Sequence, residues 1–328
     1  MTGKRTGKRT VTVFGATGRQ GGGFVRAVLA DGEFAVRAVT RRPDSAAARD
    51  LERLGAEVVQ ADMDEEESLG PVLEGAYGAF LVTNYWEHTS AEREKAQAGA
   101  LARAAGHAGV QHAVWSTLED TRECVPLEDD RMPTLQGSYK VPHFDAKAEA
   151  DRYFEDDGVP TTYLRTTFFW ENLLTLFPPR RDDDGVLALA LPMGDRRLSG
   201  IAVDDIGRTA LAVLKRGTDL LGATVAIAGE HLKVADMAAA MSRHLGEPVE
   251  YRPLTPDAFR ALDVPGAEEA GNMFQFYADC EHRFTTARDI DAVRALNPAL
   301  QDFNTWLIAH RAEFAPQGRG EREADGGE

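Results

Sequence analysis

Cysteine is scarce in this 328-residue chain: Cys124 and Cys280 are the only two, and no metal-ligand spacing relates them. That usage suits a reducing compartment, and the expected location is cytoplasmic. The eight histidines form no His-Glu-x-x-His and no paired ligand pattern, so no metal is expected. No apolar run approaches the ~18 residues that a membrane helix needs, so no membrane contact is expected. The basic opening from Met1 to Thr10 lacks the apolar segment of a secretory signal. Positive charge is short as well. Lys and Arg number 37 against 53 Asp and Glu, a net charge of −16 that repels phosphate backbones and argues against direct nucleic-acid binding.

What the chain does have is alternation. Apolar runs rich in β-branched residues, at 11–15, 35–41, 56–62, 77–84, 110–117 and 161–167, are separated by helical patterns. After the first run, Phe24, Val25, Val28 and Leu29 keep a 3.6-residue period, and Gly32 is placed to end that helix. An Ala-rich helix is expected near 91–106 and another at about 145–156. The acidic residues Asp64 to Glu67 read as a helix start, where carboxylates complement the dipole. Strands that are apolar almost throughout imply a parallel sheet covered on both faces. The fold class is α/β: a Rossmann-type doubly wound parallel sheet with a smaller C-terminal α/β lobe. In that lobe 197–217 reads as strand then helix, and 223–254 as strand, helix, strand.

Gly15, Gly18 and Gly21 stand three residues apart where the first strand gives way to the first helix. The first permits a tight turn, the second lets a pyrophosphate approach the backbone, and the third lets helix and strand pack closely. The phosphates then meet the open N–H groups of the helix start. The second strand ends not in the acid of an NAD site but in Arg41 and Arg42, which suit a 2′-phosphate through charge-assisted bonds. NADP(H) is therefore the expected cofactor. Asp62 is placed to meet the adenine amino group, with Met63 against its ring, and Thr83, Asn84 and Tyr85 end the fourth strand at the ligand crevice. The expected limits are a disordered basic leader at 1–10, an NADP-binding domain at 11–167, a smaller lobe at 168–315 interleaved with the sheet, and a disordered tail at 316–328.

The segments Gly15–Gly22, Thr40–Pro43, Thr83–Glu87, His143–Phe154 and Phe168–Leu174 resemble the NmrA-like family, an atypical branch of the short-chain dehydrogenase/reductase superfamily. The similarity runs from about Val11 to the low 300s and is greatest to the vertebrate NADPH-sensing type. It implies that Gly15, Ala16, Thr17, Gly18, Arg19 and Gln20 cradle the pyrophosphate. It also implies that Thr83, Asn84 and Tyr85 line the path to the nicotinamide ribose, whose hydroxyls Lys147 bonds. Phe169, Trp170, Glu171 and Asn172 would pack near the nicotinamide.

Orthodox members of that superfamily pair a tyrosine with a lysine four residues later and add a serine from the preceding strand. Here Lys147 remains, His143 stands where the tyrosine would be, and Ser116 takes the approximate serine position. Tyr139 is eight residues before Lys147 and is expected to face elsewhere. Two readings lead, beside a purely structural subunit that keeps the fold without meaningful cofactor affinity. In one, the protein senses NADP(H) without turnover and signals to a protein partner through the long segment 118–144. In the other, it reduces a small apolar or aromatic carbonyl, enone or imine substrate, with Lys147 or His143 as proton donor and Ser116 polarising the acceptor. The oligomeric state is not determined by these patterns.

Overall fold

The computed structural model describes residues 7–182 and 184–314. The expected tail at 316–328 and the first six residues of the expected leader lie outside them. Six strands fall on the six apolar runs: β1 (Thr10–Val13), β2 (Ala35–Thr40), β3 (Glu57–Gln60), β4 (Gly78–Leu81), β5 (His112–Thr117) and β6 (Thr161–Arg165). A seventh, Thr224–Ala226, joins them in the order 224–226, β6, β5, β4, β1, β2, β3. Every pairing in this sheet is parallel. β2 and β3 lie to one side of β1 and β4 to the other. The carboxyl ends of β1 and β4 therefore flank the switch point where such sheets take ligands.

Local chemistry sets the helix limits. α1 (Arg19–Asp31) ends on Gly32, whose φ of 77° lets its N–H reach back to the Val28 carbonyl. α2 (Ala46–Arg53) and α4 (Ala91–His107) begin after Ser45 and Ser90, whose hydroxyls accept from the N–H groups of Ala48 and Arg93. The acidic run leads through a 3-10 turn into α3 (Leu69–Leu73), and its Asp64 and Glu66 pair with Arg93 and Arg103 of α4. α5 (Pro142–Asp156) starts earlier than its periodicity suggested. Pro142 occupies its first turn, where a missing N–H is no loss.

Each face of the sheet carries its own core. On one, Phe24 of α1 stacks on Phe80 of β4 with ring centroids 4.7 Å apart; on the other, Trp115 of β5 lies 4.9 Å from Phe154 of α5. After β6 the chain leaves the sheet for the strands Phe168–Phe169 and Arg197–Ile201, then returns with the helix Val203–Lys215. That helix packs on α1 at a glycine contact: a Cβ on Gly207 would lie 2.4 Å from the Gly23 backbone. The remaining chain builds a third core, in which Phe274 meets Phe259 edge to face and Phe168 at a tilt. No helix among the described residues is long and apolar enough to cross a membrane.

Two expectations are corrected. Thr10 already belongs to β1, and the guanidinium of exposed Arg9 lies 3.9 Å from the Tyr77 ring centroid, so the last residues of the expected leader are joined to the sheet. Cys124 and Cys280 are joined as a disulfide, at odds with the reducing compartment inferred from their number. They meet because the segment 118–144 lies along the helix Ala267–Asp279. Asn272 of that helix donates to the carbonyls of Pro133 and Lys140, and Gln275 donates to that of Arg131. From the other side, buried Asp145 of α5 accepts from the N–H groups of Thr121, Lys140 and Val141. A long segment of irregular sequence is thus fastened at several points along its length.

Candidate functional site

The glycine turn has the steric logic read from its spacing. Gly15 holds a φ of +62°, and the Gly18 N–H closes the turn on the Gly15 carbonyl at 2.9 Å. A Cβ on Gly21 would lie 2.3 Å from the Gly15 carbonyl oxygen, so helix and turn touch only because it is absent. Gly18 caps α1 without a side-chain hydrogen bond, and the first turn of α1 has no acidic residue. The N–H groups of that end are left for an anion. Ala16 is buried beneath the turn, and Thr17 is exposed on it. Arg19 donates to Asn172 Oδ1 and Thr175 Oγ1, both at 2.6 Å, and closes the turn from the small-lobe side. Gln20 Oε1 accepts from Ser116 Oγ at 2.8 Å.

At the end of β2, Arg41 and Arg42 are both exposed. Arg41 pairs with Glu87 at 2.6 Å, so an incoming phosphate would share or displace that carboxylate. Asp62 and Met63 follow β3; the Asp62 carboxylate accepts from the Asp64 N–H, and Met63 packs on the adjoining core. After β4, Thr83 and Tyr85 turn inward while Asn84 is exposed. That alternation splits the turn between two buried polar clusters.

Thr83 belongs to the first. Lys147 Nζ lies 2.6 Å from Thr83 Oγ1, 2.8 Å from Glu94 Oε1 and 4.9 Å from the Trp115 ring centroid. Glu94 has no exposed surface, and its second oxygen faces His88 Nε2 at 3.6 Å. Tyr85 belongs to the second cluster. Its hydroxyl donates to Glu269 Oε2 at 2.6 Å and accepts from Gln136 Nε2 at 2.7 Å. Burial and the Glu269 carboxylate push that phenol far above its ordinary range, so it stays protonated. Glu269 Oε1 lies 2.6 Å from His143 Nδ1 and 2.8 Å from the His143 main-chain nitrogen. His143 and Lys147, four apart on α5, share one helix face. Trp86, half exposed, lies against the His143 ring with centroids 4.9 Å apart.

The structure departs from the expected roles at three residues. Ser116 donates its one hydroxyl proton to Gln20, so in this arrangement it braces the glycine turn instead of polarising an acceptor. Trp170 is buried against Gly200, where a Cβ would lie 2.1 Å from its indole nitrogen; it packs with Phe303 and Trp306 in the lobe core. Glu171 accepts from the Val203 N–H and the Trp306 indole, and burial raises its carboxyl above the usual range. Of the four residues expected at the nicotinamide, Asn172 touches the turn through Arg19, and half-buried Phe169 packs on the core that holds α1. Tyr139 faces away as expected, its hydroxyl 3.4 Å from Glu92 and Glu149.

Two functional candidates, Glu94 and Glu269, escaped the sequence reading. Glu94 left a signal: with Ala91, Ala98 and Leu101 it shares the buried stripe of an Ala-rich helix, where a lone charge needs a partner. Glu269 left none, since it sits in an ordinary acidic helix start beside Glu268.

The NmrA-like family model matches residues 7–306. The chain is 30% identical over 311 residues to the (4-alkanoyl-5-oxo-2,5-dihydrofuran-3-yl)methyl phosphate reductase of Streptomyces griseus, covering 94% of this chain and 100% of that one. It is 29% identical over 283 residues to the NmrA-like family domain-containing oxidoreductase FrzB of a Cladobotryum species, covering 81% and 83%. Among solved structures it resembles NmrA, a negative transcriptional regulator, in complex with NADP, with a TM-score of 0.76, 24% identity and coverage of 92% and 94%. The match spans the glycine turn, both buried clusters and most of the small lobe, and on that extent the chain belongs to the NmrA-like family.

Proposed function

We propose that this protein binds NADP(H) across the carboxyl ends of β1 to β4 and reduces a small, largely apolar carbonyl, enone or imine. The open α1 terminus, the glycine contacts that a Cβ would destroy and the two arginines after β2 fit the cofactor's diphosphate and 2′-phosphate. NADPH, when bound, supplies a hydride. Lys147, held by Glu94 and Thr83, is placed to bond the ribose hydroxyls beside the nicotinamide. His143 is the proton donor, taking the tyrosine's place on the same helix face. The observation that carries the proposal is this second cluster: a buried histidine locked to a buried carboxylate one turn before the lysine. Relatives named as oxidoreductases, one of which acts on a dihydrofuranone phosphate ester, support the same choice.

The sensing role has one observation in its favour. Glu87, which holds Arg41, lies in the same 3-10 turn as exposed Trp86, so a ligand at Arg41 would alter the surface around Trp86. A protein partner would read that change there, while the 118–144 segment is tied down. NADPH absorbance followed against a panel of quinones, enones and imines separates the two. Reductase chemistry predicts oxidation that Lys147→Ala abolishes and Tyr139→Phe spares. Tight NADPH binding with no acceptor consumed anywhere in the panel would favour sensing.

Cofactor choice has its own test. Arg41→Ala combined with Arg42→Ala should weaken NADP(H) by about ten- to a hundredfold, equivalent to roughly 1.5–3 kcal/mol of charge-assisted bonding. NAD(H) affinity should hardly change. Calorimetric titration showing an equal loss for both dinucleotides would remove the 2′-phosphate assignment.

A further inference from the structure

We infer that Glu269 is a positioning residue for proton delivery by His143, holding the imidazole in the tautomer that leaves Nε2 open to a bound acceptor. The inference rests on the reductase role proposed above and adds a residue to it from a distant part of the chain, 126 positions away.

Glu269 engages the donors around it with both oxygens. Oε1 takes the His143 main-chain N–H at 2.8 Å and lies 2.6 Å from Nδ1, and Oε2 takes the Tyr85 hydroxyl at 2.6 Å. The main-chain bond fixes where His143 stands at the start of α5. The Nδ1 bond fixes the ring, because an ionised carboxylate only accepts and so places the proton on Nδ1. Tyr85, Trp86 and Phe144 surround the imidazole with centroids 5.7, 4.9 and 4.9 Å away. Tyr85 is held in turn by Gln136, one of two non-glycine residues with positive φ among the described residues; the other, Thr89, donates its N–H to the Tyr85 carbonyl. Backbone this unfavourable persists only where the surroundings enforce it.

The chemistry balances with a protonated imidazole. The hydride from NADPH bonds to the acceptor carbon, and the π pair of the C=O or conjugated C=C shifts toward oxygen. The oxygen, or the α-carbon of the resulting enolate, takes the proton from His143 Nε2. NADP⁺ and a neutral imidazole with its proton on Nδ1 remain, and solvent restores the Nε2 proton. The Glu269 charge offsets that of the imidazolium, as a carboxylate does for histidine in hydrolytic triads.

The competing account is that Glu269 merely caps α5. Glu269→Gln discriminates, since the amide oxygen still accepts the main-chain N–H but the charge is gone. In the ligand-free full chain, two-bond ¹H–¹⁵N spectra should show the His143 proton on Nδ1 in wild type and a tautomer mixture in Glu269→Gln. With an accepted quinone or enone, kcat should fall about a hundredfold while KM and thermal midpoint change little. Glu269→Asp, shorter but charged, should recover part of kcat and serves if Glu269→Gln folds poorly. Identical tautomers in the two proteins, or an unchanged kcat with a lowered midpoint, would overturn the inference. A wild type that leaves NADPH unoxidised with every acceptor in the panel would sink the reductase role. The tautomer comparison needs neither cofactor nor acceptor and decides the hold of Glu269 on the ring in either case.

Discussion

Glu94→Ala should lower the unfolding free energy by roughly 3–5 kcal/mol, the usual cost of stripping one partner from a buried ion pair. Lys147 keeps only 8% of its side-chain surface exposed, and Glu94 keeps none. Without the carboxylate the ammonium retains a hydroxyl, a carbonyl and the face of Trp115, none of which carries a compensating charge. Glu94→Gln should cost less because it keeps an acceptor and the volume. The double variant Glu94→Leu with Lys147→Met should recover most of the loss, since well-packed apolar groups replace a buried pair at little cost. Urea unfolding of the four proteins measures this directly. A change below about 1 kcal/mol for Glu94→Ala would mean that water reaches the pair and that its burial is not maintained in solution. Lys147 would then lack the fixed position that the cofactor contact requires.

Gly21→Ala should be almost as damaging, and in a different pattern. Its Cβ would fall 2.3 Å from the Gly15 carbonyl oxygen and 2.6 Å from the Gly15 carbonyl carbon, atoms of a turn that cannot swing aside like a side chain. Relief requires α1 to lift or the turn to open, at a cost of about 1–3 kcal/mol. Either movement displaces the N–H groups that face the diphosphate, so NADP(H) affinity should fall by about a hundredfold or more. Gly18→Ala is the informative contrast. Gly18 has an ordinary φ of −87°, and a Cβ there would come nearest to the Gly15 carbonyl oxygen, at 3.2 Å. The fold should tolerate that methyl, while a ligand phosphate pressed against the backbone should not. Thermal melts and calorimetric titration of both variants separate the roles. Equal behaviour of the two would show that the glycines act only as a turn.

The order of strands and helices and the glycine turn are legible in the sequence alone. Each depends on short-range regularities: period two or 3.6, a cap at a helix end, a fixed spacing after a strand. Such regularities act within a few residues and leave their mark in consecutive letters. What faces what across the chain does not. Glu94 meets Lys147 on a neighbouring helix, Glu269 meets His143 from the small lobe, and Cys124 meets Cys280 across 156 positions. A single glutamate on a helix reads as solvated until another element covers it. For the same reason the packing of Trp170 and Glu171 in the lobe core, and the bonds that tie 118–144 to a helix far downstream, leave no mark in local spacing. Local spacing specified where the dinucleotide is expected to sit; burial, which depends on packing of distant segments, selected the charged groups beside Thr83 and Tyr85.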